Sequence, residues 1–539
     1  MKSISSTGSF ADFTLENFVY VDKTEYIPQL VKLKRVFISR PRRFGKSLTL
    51  DTIATLFETG VEPYFKGTWI YDKWTEPTYP VLRLNFLNLD NSSLDDFKNK
   101  LNSYITEFAN KIRVKGYVEK KEPEDSIDSM LEKLREEKRQ IVILIDEYDY
   151  QLTSNINNDD LYKQFQAKIK RFYANIKDKW AIKFLGITGV TRLKDVAIFS
   201  VGSDINDITN DSAYSQMIGF TRDEIKKYYI DYLKLAASYE NNCSVDEVTD
   251  DKLESMLDMM AQNYDGYCFD EDYEKKVFCT WSVNKFFQTM VKKKKVQFGE
   301  YWYDNGGLPS ILVNYLKSHK LNALDYIEKD KTINIKVNDF KNPTALTSIN
   351  QNVLMCQTGY LTLRSPVYSK GFMTLGIPNN EVYNALFSLM ALNIFDDTKL
   401  ENVNEQILAK SNDVDEIIGL FNTVLNTVSY DNYPINTEAM VQQLLYTYLK
   451  GICNSVTAEL HSSKGRADLV VESDNRRIVF EFKYAQNETE AKAKLSEAVE
   501  QIKSRDYGNI VPKKNELLRI AAVFNADPKV RAFTEYQQA

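Results

Sequence analysis

The chain has 539 residues, 43% hydrophobic and 27% charged, with a formal net charge of -6; one core does not grow that large, so several domains are expected. The acidic balance argues against a global polyanion-binding surface without excluding a local one. Two histidines, His319 and His461, leave little material for a histidine zinc site or a Ser-His-Asp triad, and five scattered cysteines suit a reducing cytosol.

No apolar run approaches the roughly 20 residues of a membrane span, and the N-terminus lacks a signal-peptide core. Residues 1–35 read as a lead-in, with Lys23-Thr24 either capping a pocket or starting a helix to Leu33. The apolar Val36-Phe37-Ile38 then runs into Arg40-Pro41-Arg42-Arg43-Phe44-Gly45-Lys46-Ser47, followed by helical spacing from Leu48 to Phe57. Strand, turn, Gly-Lys-Ser and helix are the context of a phosphate-binding loop. Gly45 admits close backbone approach, Lys46 reaches the β- and γ-phosphates, and the Ser47 hydroxyl ligates Mg²⁺. Arg40 stands where the general motif has its first glycine, so a basic turn capping a helix is the plainer alternative.

Pro80–Phe86 alternates as a strand, and charged helices are expected over 92–113 and 123–138. Gln140–Asp149 is a continuous apolar run ending in acids, suiting a strand covered on both faces of a parallel sheet. Ligands of such sheets bind at the strands' carboxyl ends. Asp146 there suits the Mg²⁺ shell and Glu147 the attacking water; a buried strand ending in a solvated acidic turn explains the same letters. After a helix over 159–178, Ile182–Arg192 reads as the next strand. Thr188 or Thr191 is placed to sense a γ-phosphate and Arg192 to add positive charge, although an ordinary strand-end turn has the same composition.

From about 217 the pattern turns helical, opened by a capping-box spacing at Thr221 and Glu224. Asn263–Phe269 is an aromatic turn, and Lys292–Lys295 reads as a solvated helix end, with a nucleic-acid contact as the lesser alternative. Short strands are expected at Leu354–Thr362 and Phe372–Ile377, then helix over 381–427, with a boundary at Ser429–Pro434.

Beyond it, a helix carries Glu438 in its first turn, and Gly465-Arg466-Ala467-Asp468 opens a strand. Asn475-Arg476-Arg477 is hairpin chemistry, and Glu481-Phe482-Lys483 lies on the partner strand. Period two puts Glu481 and Lys483 on one face. Asp468 and Glu481 suit Mg²⁺ for phosphodiester hydrolysis, Lys483 positions water or offsets charge, and Gln501 on the next helix is expected to reach the same site, with Glu438 a further catalytic candidate. An exposed strand alternating Glu and Lys is the ordinary alternative. Residues 460–539 hold 14 Lys and Arg against 12 Asp and Glu, so this region is not markedly basic.

Together these stretches resemble predicted AAA-like ATPases fused to a C-terminal PD-(D/E)XK nuclease-superfamily domain, nearly end to end. Val21–Thr24, Arg40–Leu48, Ile145–Asp149, Thr188–Thr191, Gln357–Leu361, Ile377–Asn379, Gly465-Arg466-x-Asp468 and Glu481-x-Lys483 carry the likeness. It implies an α/β fold: a P-loop parallel-sheet core (1–215), a helical, winged-helix-like lid (216–345), a linker region (346–430) and a restriction-endonuclease-like domain (431–539). It also implies ATP and Mg²⁺ as cofactors, held by Arg43, Gly45, Lys46, Ser47, Leu48 and Asp146, and a bacterial cytoplasmic setting. Nucleic acid is the expected partner, DNA ahead of RNA, with a homo-oligomer compatible and no membrane. The function expected is an ATPase controlling a nuclease; an ATP-dependent switch with a non-catalytic nuclease-like domain, or a scaffold, remain open.

Overall fold

The computed structural model describes the chain except for residues 177–178, 194–204, 305–309, 317–318, 320–325, 327–328, 344, 369, 396–405, 429, 431–432, 453–455, 463–464, 474 and 510–512. It divides into two compact units, one of residues 1–318 and 329–383, the other of 319–328 and 384–539. The segment 384–430 thus belongs with the C-terminal unit. Among the described residues no helix is long and apolar enough to cross a membrane.

In the first unit, β1 (Arg35–Ser39), β2 (Val81–Asn85), β3 (Ile141–Asp146), β4 (Ile182–Gly189) and β5 (Asn206–Asp207) form a parallel sheet in the order β2-β3-β4-β1-β5. Every residue of β3 is buried, as its unbroken apolar run requires of a strand covered on both faces. β4 lies between β1 and β3, so the ends of all three meet at one carboxyl edge. Gly189, ending β4, has no room for a side chain: a Cβ there would lie 2.4 Å from Tyr148 Cδ1 and 2.7 Å from Asp149 Oδ1. Gly189→Ala should therefore destabilise the unit by about 1–3 kcal/mol in denaturant unfolding; an unchanged midpoint would show that Tyr148 yields freely.

The helices Arg222–Tyr228, Ile230–Glu240, Asp250–Tyr264 and Thr280–Lys293 enclose a separate core around Leu233, Met256, Met260 and Phe287. The first opens on the expected capping box of Thr221 and Glu224. A small antiparallel sheet, β6-β8-β7, joins β6 (Ile333–Lys336), β7 (Thr362–Leu363) and β8 (Phe372–Gly376). One expectation fails here: most of Leu354–Thr362 is helix, Gln351–Thr358, and only Thr362 belongs to a strand. Asn350 caps the first turn with its side-chain oxygen and Gly359 ends the helix at φ +94°, so terminal signals outweigh the short apolar run.

The second unit holds a mixed sheet, β13-β12-β11-β10-β9, of β9 (Val456–Ser462), β10 (Gly465–Glu472), β11 (Arg476–Ala485), β12 (Glu516–Asn525) and β13 (Ala532–Gln538). β11 and β12 are parallel, joined across the helix Glu488–Ser504; the other neighbours are antiparallel. Phe480 and Phe482 pack on Phe421 of the helix Val414–Leu425, while Val479 packs with Ile502 on the opposite face. Glu481 and Lys483 share the parity of Val479. Both units are therefore α/β.

Candidate functional site

The first constellation is assembled at the carboxyl edge of the parallel sheet. Gly45 sits at φ +107°, starting the helix Lys46–Thr59. Arg43 is also left-handed, at φ +69°. Ser47 Oγ donates to Asp146 Oδ2 at 2.6 Å, and Thr188 Oγ1 donates to Asp146 Oδ1 at 2.5 Å. One carboxylate thus ties together the loop, the acid strand and the next strand end. Lys46 Nζ donates to the carbonyls of Arg40 and Pro41, at 3.0 and 3.2 Å, and lies 3.8 Å from Glu147 Oε1. Burial raises the Glu147 pKa, with Lys46 opposing the shift.

Of the two threonines read as alternatives, Thr188 points at Asp146, whereas Thr191 donates to Asp149 Oδ2 at 2.5 Å. Arg192 forms an ion pair with Asp207 on β5. Arg40 is 1% exposed, donates to the Thr209 carbonyl at 2.6 Å and lies over Phe269, with its pKa lowered by burial to about 9. It therefore braces the loop from behind instead of occupying the space a glycine would leave.

Beside the loop lies a cavity of about 500 Å³. Arg42, Arg43, Lys46, Ser47, Leu48 and Glu147 border it on one side; Val19, Tyr20, Val21, Ile27 and Phe220 supply apolar and aromatic wall. Lys23 is held away from solvent by the Gln216 carbonyl and Glu224, both at 2.7 Å; burial lowers its pKa despite that carboxylate. A cationic pocket end at a helix start joined to an apolar wall fits a nucleoside polyphosphate.

What grips the loop from outside comes from segments far away in the chain. Thr280 Oγ1 donates to the Arg43 carbonyl at 2.9 Å, and Trp302 Nε1 donates to the Arg42 carbonyl at 3.2 Å. Arg43 lies 4.1 Å over Trp281, and Phe44 packs edge-on against Tyr267 and Phe269. The aromatic turn at 263–269 was the available signal, but its target was not legible.

The second constellation lies on β10, β11 and the helix Glu438–Ile452. Asp468 Oδ2 accepts from the Phe482 amide at 2.8 Å, and its carbonyl accepts from Gln442 Nε2 at 2.6 Å. Lys483 Nζ lies 3.0 Å from Glu481 Oε1 and 3.5 Å from Glu438 Oε1. Glu481 is fully buried, and among the described residues its Oε2 has no hydrogen-bond partner. Burial, then the nearby Asp468 charge, raises its pKa to about 7. Burial alone would lower the Lys483 pKa, but Glu481 and the other carboxylates leave it raised. Gln501 is half-buried on the helix Glu488–Ser504, and among the described residues its side chain bonds to none of these groups. Asp468, Glu481, Lys483 and Glu438 are thus brought together. Gln442, which positions the Asp468 backbone, was not anticipated.

Among the described residues, no group of three or more histidine, cysteine, aspartate or glutamate side chains is arranged to hold a metal. Mg²⁺ is nonetheless compatible with smaller sets, because it retains waters and takes further oxygens from a phosphate. Ser47 with Asp146 at the first site, and Asp468 with the unpartnered Glu481 oxygen at the second, fit that requirement.

A parallel sheet with a Gly-Lys-Ser loop defines a P-loop class of unit, and Asp468 with Glu481-x-Lys483 on a mixed sheet defines a nuclease-like one. The chain matches the family models for predicted AAA-ATPase over residues 5–199 and for the PD-(D/E)XK nuclease superfamily over residues 436–533. It therefore carries a predicted AAA-ATPase domain followed by a PD-(D/E)XK nuclease-superfamily domain. A relative, an uncharacterized protein in the vnfD 5′ region of Azotobacter chroococcum mcd 1, is 25% identical over 528 residues, covering 95% of this chain and 94% of the relative. Among solved structures, Cdc6p from Pyrobaculum aerophilum aligns at 12% identity, over 73% of this chain and 98% of that one, with a TM-score of 0.24. The Aeropyrum pernix ORC1 protein, solved in complex with DNA, aligns at 12% identity over 70% and 95%, with a TM-score of 0.26.

Proposed function

We propose that this protein binds and hydrolyses ATP, and that its nucleotide state controls a C-terminal Mg²⁺-dependent nuclease acting on DNA or RNA in a bacterial cytoplasm. The observation that carries the reading is the convergence of Ser47 and Thr188 on Asp146 beside Lys46 and Glu147. In this reading Lys46 exchanges its carbonyl partners for phosphate oxygens. Glu147 accepts a proton from the attacking water, a task its raised pKa suits. Mg²⁺ at either site would supply Lewis acidity toward a phosphoryl oxygen. At the second site Asp468 and Glu481 would hold the ion, and Lys483 would offset charge on the phosphodiester.

A second reading keeps the ATP switch and makes the nuclease-like domain a binding module. The raised Glu481 pKa favours it, because that carboxyl is partly protonated near neutral pH. Cleavage assays with Mg²⁺ or Mn²⁺ on single- and double-stranded DNA and RNA, with and without ATP, separate the two readings. ATP-sensitive cleavage supports the enzyme; intact ATP hydrolysis with no cleavage of any substrate moves the reading to the switch.

The same carboxyl sets a pH dependence. Its folded pKa of about 7 lies above the ordinary value of 4.5, so the proton competes with the metal below pH 7, and ionisation costs stability as pH rises through that window. Mn²⁺ affinity at this site should rise roughly tenfold per unit from pH 5 to 7 and then level off. Titration calorimetry on a protein carrying Ser47→Ala and Asp146→Asn, which removes the first site's metal-binding oxygens, isolates this site; a flat profile there would exclude Glu481 as a ligand.

A further inference from the structure

At the amino ends of the parallel strands, opposite the Lys46 loop, lies a second cavity of about 520 Å³. Six cations border it, Lys32, Lys34, Arg35, Lys73, Lys179 and Lys183, against one carboxylate, Glu76. Lys183 pairs with Glu76 at 2.7 Å, and Lys179 pairs with Asp128 outside the lining. The excess is positive in a chain whose net charge is -6. Concave, single-sign walls concentrate the field on whatever enters.

Trp180 stands at the same mouth. Its carbonyl accepts from Gln140 Nε2 at 2.8 Å, and the Lys179 carbonyl accepts from Arg35 Nη2 at 3.3 Å. The backbone of this turn is therefore fastened to the ends of β1 and β3, while the tryptophan remains 51% exposed. An exposed indole on an anchored backbone beside a cationic groove is the combination that holds an unpaired strand, phosphates on the cations and a base on the ring. Bases within a duplex are stacked on one another and offer the indole no face.

We propose that this cleft binds single-stranded nucleic acid, giving the ATPase unit a nucleic-acid site separate from the Asp468 carboxylates. The test is fluorescence anisotropy of a labelled oligo(dT) with the full-length protein, in EDTA and without nucleotide, across a KCl series. Binding should weaken with salt. Lys34→Glu with Lys73→Glu should weaken it at least about tenfold, and Trp180→Ala about tenfold, with Trp180→Phe restoring most of the loss. All three side chains are exposed or half-exposed at the surface, and circular dichroism checks that the variants fold. Absent binding, variants that bind like the parent protein, or preference for duplex DNA or phosphatidylserine vesicles would each overturn the proposal. Because the readout is binding in EDTA, an inactive nuclease site would leave the result intact.

Discussion

Lys46→Ala is expected to weaken ATP binding at least about 100-fold, or about 2.7 kcal/mol, and to abolish turnover. Lys46 is 4% exposed, and its ammonium is already the centre of the loop, bonded to the Arg40 and Pro41 carbonyls. A cation so placed exchanges two neutral acceptors for anionic phosphate oxygens, which adds ion–ion attraction in a site shielded from water. Alanine removes that gain and leaves two loop carbonyls without their donor. Glu147→Gln provides the control: without a basic carboxylate it should still bind ATP while hydrolysis falls by about 10²–10⁴. Equilibrium binding of a fluorescent ATP analogue and phosphate release separate the two effects. Unaltered hydrolysis in Lys46→Ala would remove the ATPase half of the function.

The second large effect is expected at Asp468. Asp468→Ala should lower nucleic-acid cleavage by at least about 10³, since it removes one of the two carboxylates proposed to share Mg²⁺. Asp468 also accepts the Phe482 amide, so alanine disturbs β11 as well as the charge. Asp468→Asn retains an acceptor for that amide and removes only the charge. Equal loss in both variants, with unchanged thermal unfolding of Asp468→Asn, assigns the defect to chemistry. Lys483→Ala should follow, because its ammonium bridges Glu481 and Glu438. Cleavage that survives Asp468→Asn and Lys483→Ala would refute the catalytic assignment.

Much of this arrangement is written in local sequence. The run Ile141–Ile145 suits a covered strand, because five consecutive apolar residues leave no polar face to expose, and β3 is indeed buried throughout. Gly45 before a helical period marks a loop that needs a left-handed residue. The alternation of Val479, Glu481 and Lys483 places both charges on one face before any coordinate is known, since strand period is a property of the backbone.

Tertiary structure decided what local period cannot express. Thr188 and Thr191 are equivalent as letters at a strand end; only the pairing of β4 beside β3 turns one toward Asp146 and the other toward Asp149. Arg192 went to Asp207 because β5 pairs with β1, an adjacency between segments far apart in the chain. Arg40 reads as a flaw in a phosphate loop until Thr209 and Phe269 are seen around its guanidinium. A side chain's partner depends on which distant segments the fold folds against it, and a sequence read in order carries the backbone's period but not that adjacency.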